Sequence, residues 1–496
     1  MNTDWRSIYI LTIVSFLGSF KMAAMSSGLW AYMKLMDPDV TESFFGAMHS
    51  TANFSNLFMS LIAGVVCNKL ADTKICIVVG KSLWIFAVLS YLMVELMRGH
   101  AKFWFLSMEV CFGLSMGLMS VSRTHVAMTS TEKDRPKAVS IMTLSITIGM
   151  AVGPAIMVFV SLMSYPGILM PFGVHLNLYT APMYLVLLTT IISVILLICC
   201  FDGTMRVPIR NKDSIIVPKT KGKGFLGLKT KTSYDKFAVF ICCLTRIAQS
   251  TSMLFLINVG GPYMMTAFGW SSKELLRYNS VMHTGMGVIG ILICTSYITK
   301  ITQRYLSDRR AIVIGIALKL LFYIITYPYP FLNSTIPYEV RDLNGTITTH
   351  GCSERFDWCA TTPLINEWVY CIGKVLLLGT GFPLTMLNLD VLYSKVLGNI
   401  KQGTMQGIFL CSGEVLTIIG PVILTSIYEV TGPKYIWQMN IITLASILIL
   451  WIVYYNRMIS ATRRKEERNK NLPVEIPMDI TIQDDAKPVE SSPRTF

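Results

Sequence analysis

One stretch of this sequence occurs twice, and the repetition limits what the chain can fold into. Residues 133–154, KDRPKAVSIMTLSITIGMAVGP, pass from a short polar turn through an apolar run to Gly-Pro, and residues 400–421 follow the same plan. Arg135 stands 18 residues before Gly153-Pro154, and Gln402 stands 18 residues before Gly420-Pro421. At about 3.6 residues per turn this spacing puts each pair on one helix face, ~27 Å apart, close to the ~30 Å of a bilayer core. Gly149 and Gly153 share a face where a neighbouring helix can approach closely, and Pro154 can bend the axis. The copies are offset by 267 residues in a chain of 496. Two fused, related half-bundles leave such a signature.

Composition agrees with a membrane-embedded chain. Hydrophobic residues make up 53% and charged residues 15%, against about a quarter charged in soluble domains. Windows of about 20 apolar residues predict helices at 8–33, 44–66, 75–96, 103–128, 137–164 and 181–201, then at 237–259, 278–299, 311–330, 363–391, 404–428 and 435–456. The predicted fold class is therefore an all-α polytopic membrane protein with 12 transmembrane helices in two six-helix halves. Residues 1–201 form the N-terminal half, 202–236 a linker, 237–456 the C-terminal half and 457–496 a disordered tail. No short apolar segment with a small-residue cleavage site opens the sequence, so the first run is expected to remain as a helix.

The net charge of +14 does not point to nucleic acid, because the basic residues lie between apolar spans and are not interleaved with aromatics on one soluble face. The linker is rich in Lys and Arg, and Lys69, Lys133, Arg135, Arg304, Lys395 and Lys401 fall on the same side. That side, with both termini, is predicted to be cytosolic. The opposite side carries the long connection 331–362, with acceptor sequons at Asn333 and Asn344 and a close pair, Cys352 and Cys359. Glycans and a disulfide are expected there. The twelve cysteines form no CxxC pair and no His/Cys cluster, so neither a metal nor a cofactor is expected. No nucleophile-base arrangement or phosphate-binding loop accompanies the spans, and the chain reads as no enzyme. Its expected partners are the bilayer and a small solute, and a monomer is the expected state.

Ionisable residues inside apolar spans are costly and normally face a bundle interior or an aqueous cavity. Lys21, Glu109, Arg123, Arg246, His283, Glu367, Lys374 and Glu414 stand in such places. The cations suit an anionic solute, and a carboxylate beside a cavity suits a coupling proton. Plainer readings exist: Glu109, Glu367 and Arg123 lie near predicted helix ends and can snorkel, and Glu367 with Lys374, two turns apart on one face, can be a neutral internal pair.

The two halves, the Gly-Pro helices and the basic linker are similar to the major facilitator superfamily. Its Gly-x-x-x-Asp-Arg-x-Gly-Arg connection has a counterpart from Gly64 to Asp72, where Gly64 and Lys69 match while Asn68, Ala71 and Asp72 depart. Trp5-Arg6-Ser7-Ile8, Gly351-Cys352-Ser353, Trp358-Cys359, Leu392-Tyr393-Ser394-Lys395 and Gln402-Gly403 resemble an endolysosomal branch of that superfamily. The resemblance implies a transporter working by alternating access, with helices one, four, seven and ten lining the cavity and with Gly64, Lys69, Arg135, Gly149, Gly153, Pro154, Gly420 and Pro421 in helix packing and gating. An anion conductance and a non-transporting scaffold are the alternatives.

Overall fold

The computed structural model describes residues 3–26, 29–37, 40, 42–160, 163, 166–170, 173–205, 234–270, 272–332, 334–341, 347–349, 351–353, 356–398 and 400–470. Helix lies under every predicted span. The long helices are α1 (Trp5–Ser26), α2 (Glu42–Leu70), α3 (Lys74–Leu96), α4 (Ala101–Thr129), α5 (Arg135–Val160) and α6 (Ala181–Cys200), followed by α7 (Lys236–Asn258), α8 (Ser272–Ile298), α9 (Asp308–Ile325), α10 (Glu367–Leu397), α11 (Gly403–Thr431) and α12 (Pro433–Val453). Among the described residues nine helices are long and apolar enough to cross a membrane. In α9 the residues Asp308, Arg309, Arg310 and Lys319 raise the charge of a helix that otherwise matches its neighbours in place and packing. Hydroxyls inside the spans bond back to their own helix, as Thr143 does to Val139 O and Thr245 to Ile241 O, which satisfies them without water.

The packing repeats between the halves. Helix α1 lies on α5 and α6, and α7 lies on α11 and α12; α3 lies on α4 and α6, and α9 on α10 and α12. The halves meet where α2 packs on α11 and α5 packs on α8. Exchanging the halves turns the first of these contacts into the second, as expected of a pseudo-two-fold bundle built from parallel repeats. Helices α6 and α12 turn apolar stripes outward, including Leu188, Ile195 and Ile198 on the first and Ile442, Ile449 and Ile452 on the second. Such surface suits lipid.

The two ends of the bundle differ. At the terminal face the chain start meets the α4–α5 turn, with Thr3 Oγ1 donating to Asp134 Oδ2 at 2.9 Å, and the α12 end meets the α7 start, with Arg457 Nε donating to Asp235 Oδ2 at 2.6 Å. At the loop face sit two short hairpins, β1 (Ile168–Leu169) with β2 (His175–Leu176) and β3 (Val340–Arg341) with β4 (Ile347–Thr349). Cys352 and Cys359 form a disulfide there. The neighbouring Trp358 donates from Nε1 to Glu429 O at 3.2 Å and covers Gly432, whose φ of 70° and lack of a side chain permit the turn from α11 into α12.

Several expectations change. The first span ends at Ser26 and is followed by a separate short helix, Leu29–Met36. The tail expected to be disordered from 457 begins instead with a helix, Ala461–Lys470, in which Arg463 pairs with Glu467. Opposite charges four residues apart support such a helix. Asn333, Asn344, residues 206–233 of the linker and 471–496 of the tail lie outside the described residues.

Candidate functional site

Small residues let the halves touch at the terminal face. A methyl group on Gly64 of α2 would meet the Gly403 carbonyl oxygen of α11 at 2.6 Å, and one on Gly403 would meet the Gly64 carbonyl oxygen at 2.7 Å. Below this contact, the Asn68 amide donates to Thr404 Oγ1 at 2.7 Å and accepts from Gly403 N at 2.8 Å, while Lys401 Nζ reaches Asn68 O at 3.1 Å. Above it, Ser60 and Cys411 are bonded at 3.0 Å, and Asn53 Nδ2 donates to Thr417 O at 3.4 Å. Lys69, expected in this seam, is exposed at the end of α2. The departure at Asn68 thus supplies the bonds: an amide can both donate and accept across the seam. Lys300 and Asp134 add a cross-half ion pair at 3.6 Å. Burial raises the Asp134 carboxyl, but hydrogen bonds from Thr3 and Thr131 and the Lys300 charge outweigh it and hold the group below its ordinary value.

Closer to mid-bundle, Arg123 of α4 and Asp390 of α10 pair across the halves, Nη1 to Oδ2 at 3.0 Å, with 28% and 17% of their side chains exposed. Their separation in sequence is 267, the offset of the duplicated stretch, so the bond joins equivalent positions of the two repeats. Arg246 of α7 lies beside them, within electrostatic reach of Arg123, Asp390 and Glu414. Its guanidinium is 5.6 Å from the Phe409 ring centroid, and a methyl group on Gly413 would come within 3.2 Å of its Nε. Glycine at 413 makes room for the arginine. Arg246 Nε and Asp390 Oδ1 are both buried without a hydrogen-bond partner among the described residues.

Two further cations occupy the C-terminal half. Lys374 is fully buried and donates to Asn279 Oδ1 of α8 at 2.9 Å, with His283 one helical turn beyond. It opens a π-helical turn, Lys374–Leu378, within α10, a distortion that recurs at functional sites. Lys319 of α9 donates to Gln249 Oε1 of α7 and stands 5.3 Å from the Phe382 ring. The N-terminal half holds Lys81 over Trp84 at 4.9 Å, and two buried carboxylates beside imidazoles: Glu109 is 3.6 Å from His49, and Glu95 is 2.7 Å from His175.

Arg123, Arg246 and Glu414 are therefore brought together, whereas Lys374 and Glu109 stand apart from them. Glu367 does not pair with Lys374: it is half-buried in the first turn of α10, where a carboxylate favours the helix dipole. The side chains of Lys21, Gly153 and Pro154 lie outside the described ones. Gly149 packs on Ser19 of α1 and Gly420 on Leu254 of α7, so the duplicated helices use glycine for equivalent contacts; Pro421 sits within α11. Arg135 Nη2 donates to Ser130 O at 3.3 Å, and Gln402 Nε2 donates to Gly398 O at 2.9 Å, so each repeat ties its polar turn to the end of the preceding helix. Sequence reasoning missed Asp390, Lys319, Lys81 and Asn279. The repeat offset applied to Arg123 would have located Asp390; the three others carried no such signal.

A seam of small residues, two duplicated half-bundles and charges near their common axis define a multi-pass membrane bundle of two related halves. Residues 11–340 match the Major Facilitator Superfamily, and the chain belongs to that family. It is similar to major facilitator superfamily domain-containing protein 8 of Xenopus laevis, 22% identical over 490 residues that cover 94% of each chain. Among solved structures it resembles a bacterial homologue of the iron transporter ferroportin in an outward-facing state, with TM-score 0.63, 12% identity and coverage of 91% and 100%. It also resembles the human organic anion transporter MFSD10, with TM-score 0.56, 13% identity and coverage of 91% and 100%.

Proposed function

We propose that the chain carries a small anionic solute, together with protons, across an endolysosomal membrane by alternating access. The observation that carries this reading is the charge of the C-terminal half: Lys319 and Lys374 are buried cations with no carboxylate within ion-pair distance among the described residues, and Arg246 is buried with its Nε unbonded. Buried charge without a counter-ion is expensive, and an anion arriving from the cavity supplies the missing partner. The seam from Asn53 to Asn68 closes the terminal face, so this conformation suits loading from the loop face.

In this reading the terminal face is cytosolic, in keeping with the basic residues along it, and the loop face is luminal, with glycans at Asn333 and Asn344. The endolysosomal membrane rests on the Gly351-Cys352-Ser353 and Leu392-Tyr393-Ser394-Lys395 resemblance. The decisive test uses purified protein in proteoliposomes. A carrier saturates and shows counterflow of labelled solute. Unitary currents without counterflow would establish an anion conductance instead, and the absence of both from folded protein would leave a scaffold. Lys374→Ala and Glu414→Gln are expected to reduce flux at unchanged protein level; wild-type flux in both removes these residues from the mechanism.

A further inference from the structure

The group at mid-bundle most in need of explanation is Arg246. It is 7% exposed, and its Nε is buried without a hydrogen-bond partner among the described residues. Its neighbour Arg123 spends one donor on Asp390 Oδ2, and the other oxygen of that carboxylate has no hydrogen-bond partner. A planar guanidinium fork matches a carboxylate with two parallel hydrogen bonds. The Asp390 carboxylate is held by a single arginine, next to a second arginine whose Nε is unused.

We infer that Arg123 and Arg246 form the recognition site for a carboxylate on the cargo, and that Asp390 is the placeholder occupying part of it between transport cycles. This rests on the carrier reading above and names its substrate class. The resident ligand sets the chemistry, since a cargo carboxylate has the shape and charge of the group it displaces. Displacement has a mechanical consequence, because the Arg123–Asp390 bond ties α4 to α10. Cargo that takes Arg123 from Asp390 removes that tie, and the terminal face is then held by the Gly64–Gly403 seam and the Lys300–Asp134 pair.

Charge balance adds a requirement. Arg123, Arg246, Asp390 and Glu414 sum to zero, so an arriving monocarboxylate leaves one excess negative charge away from bulk water. One proton, taken up on the displaced Asp390, restores neutrality. Asp390 is paired with Arg123 of α4, and Arg246 of α7 is within electrostatic reach of Asp390, Arg123 and Glu414 of α11. Elsewhere around α10, α5 presents apolar Val139 and Leu144, α8 presents Tyr297 on Asn388, and α9 presents Lys319 near Phe382 and Asp308 on Lys395. The two lysines on this list lie on other turns of the helices. Transport is thus one carboxylate with one proton, and electroneutral.

The test measures binding of lactate and succinate to the full-length purified chain by calorimetry, with chloride and sulfate as anions lacking a carboxylate. Wild-type affinity for lactate is expected to tighten about tenfold for each unit of pH decrease, the slope of one linked proton. Asp390→Asn, with the competing charge gone, should bind about tenfold more tightly at pH 7.5 and lose the slope. Arg123→Gln and Arg246→Gln should each lose binding. The proposal is overturned if no carboxylate binds the wild type, if Asp390→Asn keeps both the affinity and the slope, or if chloride binds with the same dependence on both arginines. Should Asp390→Asn fail to fold, Asp390→Glu decides, since it keeps the charge and must keep the slope. Binding with these dependences but without counterflow would sink the carrier reading and leave the site standing; counterflow that survives Arg123→Gln would do the reverse.

Discussion

The halves of this bundle share a scaffold and differ in charge. In the N-terminal half the buried carboxylates Glu95 and Glu109 have imidazoles beside them, from His175 and His49. In the C-terminal half the buried charges among the described residues are all cations, Arg246, Lys319 and Lys374, set against aromatic rings and amides, whereas the N-terminal half buries the cations Lys81 and Arg135 alongside its carboxylates. Duplication preserves helix packing: in both halves a glycine of the duplicated helix, Gly149 or Gly420, sits against the first helix of its half. It does not preserve charge, because an ionisable side chain costs little to lose where a cavity and not a helix contact depends on it. On the carrier reading proposed above, this asymmetry would give a symmetric frame one preferred anion site.

The comparison can be broken most sharply at its strongest point. Arg246→Gln is expected to lower solute flux about 10- to 100-fold, the weight of one charge-assisted hydrogen bond, while Glu109→Gln in the other half stays within about threefold; equal losses would show that the halves contribute alike. Next comes the seam. Gly64→Leu should cost about 1–3 kcal/mol through overpacking and expose the terminal face to thiol labelling, whereas Gly287→Leu, at a position with nothing within 4 Å, should leave both the melting temperature and the labelling pattern unchanged. Lys319→Met should destabilise by about 1–3 kcal/mol by leaving the Gln249 oxygen without its donor, and Lys81→Met should cost less, as a ring supplies the neighbour there; a thermal melt of each compares the two directly.

The smallest effect concerns the helix starts. Asp235 caps α7 by accepting from Phe237 N and Ala238 N, and also holds Arg457 and Arg464. Its counterpart Asp4 accepts from Ser7 at the start of α1. Burial raises the Asp235 carboxyl, but Arg457, the two amides and Arg464 outweigh it and hold it below its ordinary value. A carboxyl held low in the folded state stabilises above its unfolded value, near ~3.9, and that contribution disappears as pH falls through the folded value. The melting difference between wild type and Asp235→Asn should therefore be present at pH 7 and vanish as pH falls through the folded-state value. A difference that persisted at low pH would assign Asp235 a role other than its charge.

Much of this was legible beforehand because membrane helices advertise themselves. A span must satisfy its backbone internally and face lipid with apolar side chains, so length and hydropathy locate it, and Gly149 and Gly420 mark where neighbours come close. The Cys352–Cys359 link was likewise readable from spacing and loop charge. The site was only half legible. Arg123, Arg246 and Glu414 stood out as charges in apolar runs, but the alternative reading of Glu367 with Lys374 as a neutral pair is not met, because Lys374 opens a π-turn and bonds Asn279 on another helix. Lys69 was expected in the seam by its match to a motif, yet the amide of Asn68 spans the gap.

The sequence by itself determined the duplicated helical frame, its spans and the list of charges that needed shelter, since each follows from local hydropathy and a repeat offset. Tertiary structure alone decided which charges meet. Arg123 finds Asp390, and Arg246 settles against Gly413 and Phe409, because helices distant in the chain pack at a common axis, and no local pattern records the distance between side chains on different helices.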